Sequence, residues 1–369
     1  MMWLAGAALC LLLAGAYGFL LLLLRYDLTP KAALYRIVSR LGMDWEKLKP
    51  GAKDAPYRQI RPSKQGLNRP VLLNLETSDG SGQACHPDVA YIAEGFGASK
   101  WTYWMACTPY PHGDAYYENP EIFASFDGIN WTVPLGLRNP LVPSLETLGD
   151  HNSDPDILFH QKELWLFYRE TLRSKTPNEN RIYLMRSVDG VRWSARVEVL
   201  IENDGRELLS PAVIHDGIRF VMWTIEIGVG KLMLVRRCSH NGVDWCEPVN
   251  GNISGLEPGR YPWHIDVIQD EGSLSAVLVS CLGMGGVGPR IHYASSQDGG
   301  LNWLVEDFLL EQSYQFESGY QYRASLCRRP EQARQYDLWY TAASKKHVFS
   351  IAHMKMVRDG NKLLPLGAS

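Results

Sequence analysis

Five strand-like runs in this chain open on side chains that can move protons or grip hydroxyl groups. The openings are His86-Pro87-Asp88, Asp154-Pro155-Asp156, Ser210-Pro211, His264-Ile265-Asp266 and Tyr322-Arg323. Two of the runs that follow end on Arg169-Glu170 and on Glu226, and Glu118 lies in a third connecting segment. Tyr110, Tyr116, Tyr117, Tyr261, Trp263 and Tyr320 stand beside them. Carboxylates among aromatic platforms suit a carbohydrate: rings stack on its C–H faces and acids accept its hydroxyls. His86, His264 and Asp266 are also metal-ligand types. They come from separate runs with no diagnostic spacing, so no metal and no other cofactor is assigned.

These residues can act together only if the fold gathers them, and a repeat shows how. Ser125-Phe126-Asp127-Gly128-Ile129-Asn130-Trp131 has near copies starting at Ser187, Ser239 and Ser296, each with Asp or Asn, then Gly, then Trp. The copies recur roughly every 50–60 residues, the spacing of a circular or stacked repeat. Each follows a strand-like run, so each sits on a β-hairpin turn. Ser and Asp accept turn N–H groups there, Gly supplies a positive φ, and Trp covers the turn. The boxes are therefore structural. Two further strand signals precede each box, and a fifth unit without a box runs through Leu338-Trp339-Tyr340 to Ile351-Ala352. Four strands in each of five units predict an all-β fold, a five-bladed β-propeller. Val71-Leu72-Leu73 is expected to return and complete the last blade. First-strand starts, second-strand ends and the loops leaving them share one face of such a disc. That brings His86, Asp88, Glu118, Asp154, Asp156, Arg169, Glu170, Glu226, His264, Asp266, Tyr322 and Arg323 to the mouth of a central funnel.

Five units, with Asp154-Pro155 opening the second inner strand, resemble the five-bladed β-propeller glycosidases: arabinanases, invertases, levansucrases and mannoside phosphorylases. The boxes resemble sialidase Asp-boxes, which occur in six-bladed propellers. The glycosidase resemblance implies Asp, Asp and Glu on the first three inner strands, serving as base or nucleophile, helper and acid. Asp154 matches. His86 stands at the matching place in blade one, with Asp88 two residues on. In blade three Glu226 or Glu207 has to replace the missing acid. The resemblance thus implies Asp88 as base or nucleophile, Asp154 as the helper that tunes the acid and Glu226 as acid, in a hydrolase acting on an oligo- or polysaccharide. The alternative is a propeller that binds glycans without turning them over.

Lys and Arg number 37 against 40 Asp and Glu. With no basic stripe, nucleic acid is not an expected partner. Residues 1–24 are apolar throughout and long enough to span a bilayer, and no Lys or Arg precedes them. A retained transmembrane helix over 1–25 is the expectation. Leu34, Ile37, Val38, Leu41, Trp45 and Leu48 then mark a short amphipathic helix, and Pro50, Pro56 and Pro62 a linker, within 26–69. Residues 70–369 form the propeller. Arg25, Lys31, Arg36 and Arg40 follow the span, which favours a cytoplasmic propeller; the glycosidase resemblance favours the outside. Seven cysteines suit a reducing compartment, yet Cys238 and Cys246 flank the third box like a hairpin staple.

Overall fold

The computed structural model describes residues 69–366, apart from 148, 229–230, 284–285, 309, 311, 313, 330–331, 333 and 361. The expected membrane anchor, and all but the last residue of the 26–69 segment, lie outside the described residues. Among those described, no helix is long and apolar enough to cross a membrane.

Five sheets, antiparallel but for one short outer strand of the fourth, follow one another along the chain. Their inner strands are Ala84–Phe96, His151–His160, Glu207–His215, Arg260–Asp270 and Tyr320–Arg328, and their second strands are Trp101–Pro109, Glu163–Leu172, Phe220–Gly228, Ser273–Leu282 and Gln335–Ala343. This is the expected five-bladed β-propeller. The ring closes as expected too: Val71–Leu72 pairs antiparallel with the third strand of blade five, Val71 opposite His353 and Leu72 opposite Ala352. Two short strands had no sequence signal. Lys362–Pro365 adds to blade five, and Asn252–Ser254 pairs in parallel with the outer strand of blade four.

The core is divided among the joints between blades. Leu209, Trp223 and Ile225 of blade three meet Ile265, Val267 and Trp303 of blade four, and equivalent layers fill the other four joints. Second strands face a neighbour on both sides, so Leu164 to Thr171 is buried without alternation.

The boxes key one blade into the next. Ser125 Oγ accepts the Gly128 N–H at 2.9 Å, and Asp127 Oδ1 accepts those of Ile129 at 2.9 Å and Asn130 at 2.7 Å. The other three boxes repeat the pattern. Each box glycine has a positive φ and meets a second-strand tryptophan of the preceding blade. Trp339 of blade five lies on Gly128, Trp104 on Gly190, Trp165 on Gly242 and Trp223 on Gly300. Trp339 and Trp223 also donate Nε1–H to the glycine carbonyl, at 2.8 Å each. Blade five has no box, and the second strand of blade four has no tryptophan.

Candidate active site at the hub

Every inner strand carries a bulge near its start, between Cys85 and Asp88, Ser153 and Asp156, Leu209 and Ala212, Pro262 and His264, and Gln321 and Ala324. In the first three blades the bulged residue has positive φ and precedes proline: His86 at 55°, Asp154 at 50° and Ser210 at 46°. A bulge re-aims a side chain. Here it turns these side chains to the axis, where residues from distant blades meet.

The first tier centres on Asp154. His86 Nε2 lies 3.4 Å from its Oδ1 and His264 Nδ1 3.8 Å. Arg169 Nε lies 3.1 Å from Oδ2, Arg323 Nη1 3.9 Å from Oδ1, and the Ser210 N–H donates to Oδ2 at 3.3 Å. Thr108 Oγ1 holds the other ring nitrogen of His86 at 3.1 Å, and Ser210 Oγ hydrogen-bonds Nδ1 of His264. Burial alone would raise the Asp154 pKa. The cationic and imidazole neighbours outweigh it and hold the carboxyl well below the usual range. Burial, reinforced by the two arginines and only partly opposed by Asp154, lowers His86 to about 4 and takes His264 well below its ordinary value. At neutral pH the tier is therefore an ionised carboxylate between two neutral imidazoles. Asp154 Oδ1 and His264 Nε2 are buried without a hydrogen-bond partner. Ser210, His264 and Asp154 have the residue types of a nucleophilic triad but not its arrangement. The serine and the acid face the same ring nitrogen, whereas a triad needs them on opposite ones.

Tyr322, Tyr110 and Trp263 wall this tier and are partly exposed. The His264 ring meets Tyr322 edge-on with centroids 4.6 Å apart, and Trp263 Nε1–H donates to Tyr322 Oη at 2.8 Å. Glu118 is buried beside them. Burial first, then the charge of Asp154, raises its pKa to about 8, against the pull of Arg169 and Arg173. His151 Nε2 lies 3.9 Å from its Oε2.

Two residues further along the inner strands, Asp88, Asp156 and Asp266 form a second tier, with carboxylate oxygens within 4.8 Å of one another. Their partners are the next blades. Asp88 accepts the Ile157 N–H, Asp156 that of Val213 at 3.2 Å, and Asp266 that of Leu326 at 2.8 Å. Ser325 does the same for Val89 at 3.1 Å, taking the ring from blade five back to blade one. Burial raises all three carboxyls, Asp266 to about 7, with Arg323 the shared opposing charge. These acids stitch blades together.

The fold thus gathers His86, Asp154, Arg169, His264, Tyr322 and Arg323 in one tier with Glu118 beside it. It separates the expected catalytic trio. Asp88 belongs to the second tier. Glu226 is held by Arg237 at 2.7 Å and Arg206 at 2.8 Å, and Arg237 and Arg206 also reach Glu202 of blade two. It lines the joint between blades two and three because its place opposite Leu208 gives it that face. Glu207 lies one residue before Leu208, on the inner strand. Glu170 pairs with Arg196 at 2.8 Å. Asp266, read with the two histidines as a metal-ligand type, sits one tier away, and Asp154 takes its place between them. Thr108 and His151 were not anticipated. Thr108 ends a second strand, the place already assigned to the funnel, and His151 opens the polar run His151-Asn152-Ser153-Asp154.

No family model matches the chain. It is 28% identical over 272 residues to an A type blood N-acetyl-alpha-D-galactosamine deacetylase of Flavonifractor plautii, a match covering 62% of this chain and 35% of that protein. The chain spans about a third of that relative's length. Among solved structures, an N-acetylgalactosamine deacetylase from F. plautii in complex with blood group B trisaccharide superposes with a TM-score of 0.67 and 22% identity, covering 78% of this chain and 95% of the other. A thermostable family-43 glycoside hydrolase gives 0.59 and 11%, covering 78% and 94%. An exo-1,5-alpha-L-arabinanase from a bovine ruminal metagenomic library gives 0.55 and 14%, covering 79% and 99%. The chain therefore has the same five-bladed β-propeller fold as these solved structures.

Proposed function

We propose that this protein is a carbohydrate-active hydrolase whose chemistry sits on His86, Asp154 and His264, and that the bond it breaks is the amide of an N-acetylated sugar. The observation that carries this reading is the ionised carboxylate between two neutral imidazoles, with Asp154 Oδ1 buried and without a hydrogen-bond partner. Two imidazoles and a carboxylate are a donor set for a divalent cation such as zinc or manganese, and the unpartnered Asp154 Oδ1, facing Nε2 of His86 and Nδ1 of His264, fits that use. His86, Asp154 and His264 would hold the ion. When bound, it would supply Lewis acidity, polarising an acyl carbonyl and easing the ionisation of water. The chain's own groups do the rest. Arg169 pins Asp154 Oδ2 and leaves Oδ1 toward the histidines. Thr108 fixes the His86 ring so that Nε2 faces the acid. Glu118, protonated near neutral pH, can hand its proton to a departing amine. Tyr322, tethered to Trp263, and Tyr110 offer faces for a sugar ring. The name of the relative, a deacetylase of an N-acetylated sugar, supports this choice of bond.

A second reading is hydrolysis of a glycosidic bond. One observation favours it: Asp154 stays ionised while Glu118 stays protonated, the split between base and acid that such a reaction needs. The pair would then be Asp154 and Glu118, not Asp88 and Glu226. The full chain, incubated with N-acetylated oligosaccharides, separates the readings. Free acetate that disappears on chelation and returns with added zinc or manganese supports the first. New reducing ends that survive chelation support the second. Binding without either product leaves a glycan-binding propeller and removes both.

A further inference from the structure

We propose that Cys238 and Cys246 are a redox pair that closes the third box hairpin with a disulfide, formed by exchange with a low-molecular-weight disulfide such as oxidised glutathione. The two residues face each other across the hairpin. The Cys246 N–H donates to the Cys238 carbonyl at 2.8 Å, and the Cys238 N–H points at Cys246 Sγ at 3.0 Å. The equivalent residues of blades one and four are opposed in an antiparallel ladder, where Cα atoms lie about 4.5–5.5 Å apart, within the roughly 4.4–6.8 Å that a disulfide spans. Cys246 is exposed and Cys238 half-buried, whereas Cys85, Cys107, Cys281 and Cys327 are buried.

The other boxes show what this position does. The pair is Ala124 with Thr132 in blade one, and Ser295 with Leu304 in blade four. In blade two it is Arg186 with Ser194, where Ser194 Oγ takes the Arg186 N–H at 3.0 Å as Cys246 Sγ takes that of Cys238. Blade three also lacks something its sisters have. Asn241 replaces the aspartate of Asp127, Asp189 and Asp298. It still accepts the turn N–H groups of Val243 and Asp244, at 2.9 Å each. A neutral amide oxygen is a weaker acceptor than a carboxylate. The hairpin without the charged clasp is the one that carries two cysteines at its neck.

The exchange runs in two steps. The Cys246 thiolate attacks one sulfur of glutathione disulfide and expels one glutathione. Cys238, deprotonated, then attacks the Cys246 sulfur of the mixed disulfide and expels the second. Two cysteines lose two electrons, one glutathione disulfide becomes two thiols, and the cysteine protons pass through solvent to the released glutathione.

The test uses the full chain. It is equilibrated folded in glutathione redox buffer, quenched in acid, alkylated under denaturing conditions and digested with trypsin. Both cysteines fall on one tryptic peptide, after Arg237 and ending at Arg260. The expected product is that peptide unalkylated and lighter by two hydrogens. After further cleavage before Asp244 its halves should remain joined until reduced. Separate alkylation or separate glutathionylation of both cysteines in oxidising buffer would overturn the proposal. Cys246→Ser, which copies Ser194 of blade two, should abolish the lighter peptide and leave Cys238 carrying glutathione. Persistence of the mass loss in that variant would assign it to another residue and equally overturn the proposal. Neither result depends on the hub chemistry.

Discussion

At the scale of single residues, the hub works by setting charge states apart. Asp154 is ionised, His86 and His264 are neutral, and Glu118 keeps its proton near pH 7. A pH dependence of stability follows. Glu118 has a folded pKa of about 8, above its unfolded value of 4.5. Its contribution is full below pH 4.5 and is lost as pH rises through 8. His86 has a folded pKa of about 4, below the ordinary 6.5. Its contribution is present above pH 6.5 and lost as pH falls through 4. Glu118→Gln cannot ionise, so between pH 5 and pH 8.5 it should lose less stability than wild type, by on the order of 1–3 kcal/mol. Urea unfolding at the two pH values measures this, and equal losses would contradict the assigned state of Glu118. The same variant should lower kcat about 10²–10⁴-fold if Glu118 delivers a proton. That Asp154 would reach the hub was legible because its Asp-Pro opening is shared with a known fold. The partners that hold Asp88 and Glu226 were not. Whether an inner-strand acid faces a ligand or a neighbouring N–H depends on a bulge, and a linear pattern does not register which face Glu226 takes.

At the scale of elements, the box hairpin and the tryptophan of the preceding blade act as one joint. A Cβ on Gly190 would lie 2.0 Å from Trp104 Cη2, and the glycine has φ +76°. Gly190→Ala should cost about 2–4 kcal/mol, through collision and through backbone strain. Thermal unfolding would show it, and an unchanged midpoint would contradict the keyed joint. Glu226→Gln should destabilise by about 3 kcal/mol, because buried Arg237 loses its nearest counter-charge. A substrate assay on the folded fraction should find KM unchanged. A raised KM would return Glu226 to the site. The boxes were readable as turns because their chemistry is local. Their pairing with tryptophans from another blade was not, since Trp104 and Gly190 lie far apart in sequence and meet only when the ring forms. The strand Asn252–Ser254 was missed for a related reason: it is three residues long and largely exposed, with one apolar residue, Ile253, too few to make a pattern.

At the scale of the whole molecule, closure makes the hub. The first-tier residues come from blades one, two, four and five, and they converge only if the ring shuts. The clasp is Val71–Leu72 together with Leu73 and Leu75, both buried at the joint of blades five and one. Leu73→Asp combined with Leu75→Asp should lower stability by about 3 kcal/mol or more and reduce activity in proportion to the fraction unfolded. Five blades were legible from the repeat, and the returning strand from an apolar run left without a partner. The most direct measurement of the central claim is the initial rate of Asp154→Asn beside wild type and Glu226→Gln. It is taken on an N-acetylated oligosaccharide at a temperature where all three are folded by circular dichroism. The expected result is a loss of about 10²-fold or more for Asp154→Asn, with Glu226→Gln close to wild type. Full activity in Asp154→Asn, or a matching loss in Glu226→Gln, would contradict it.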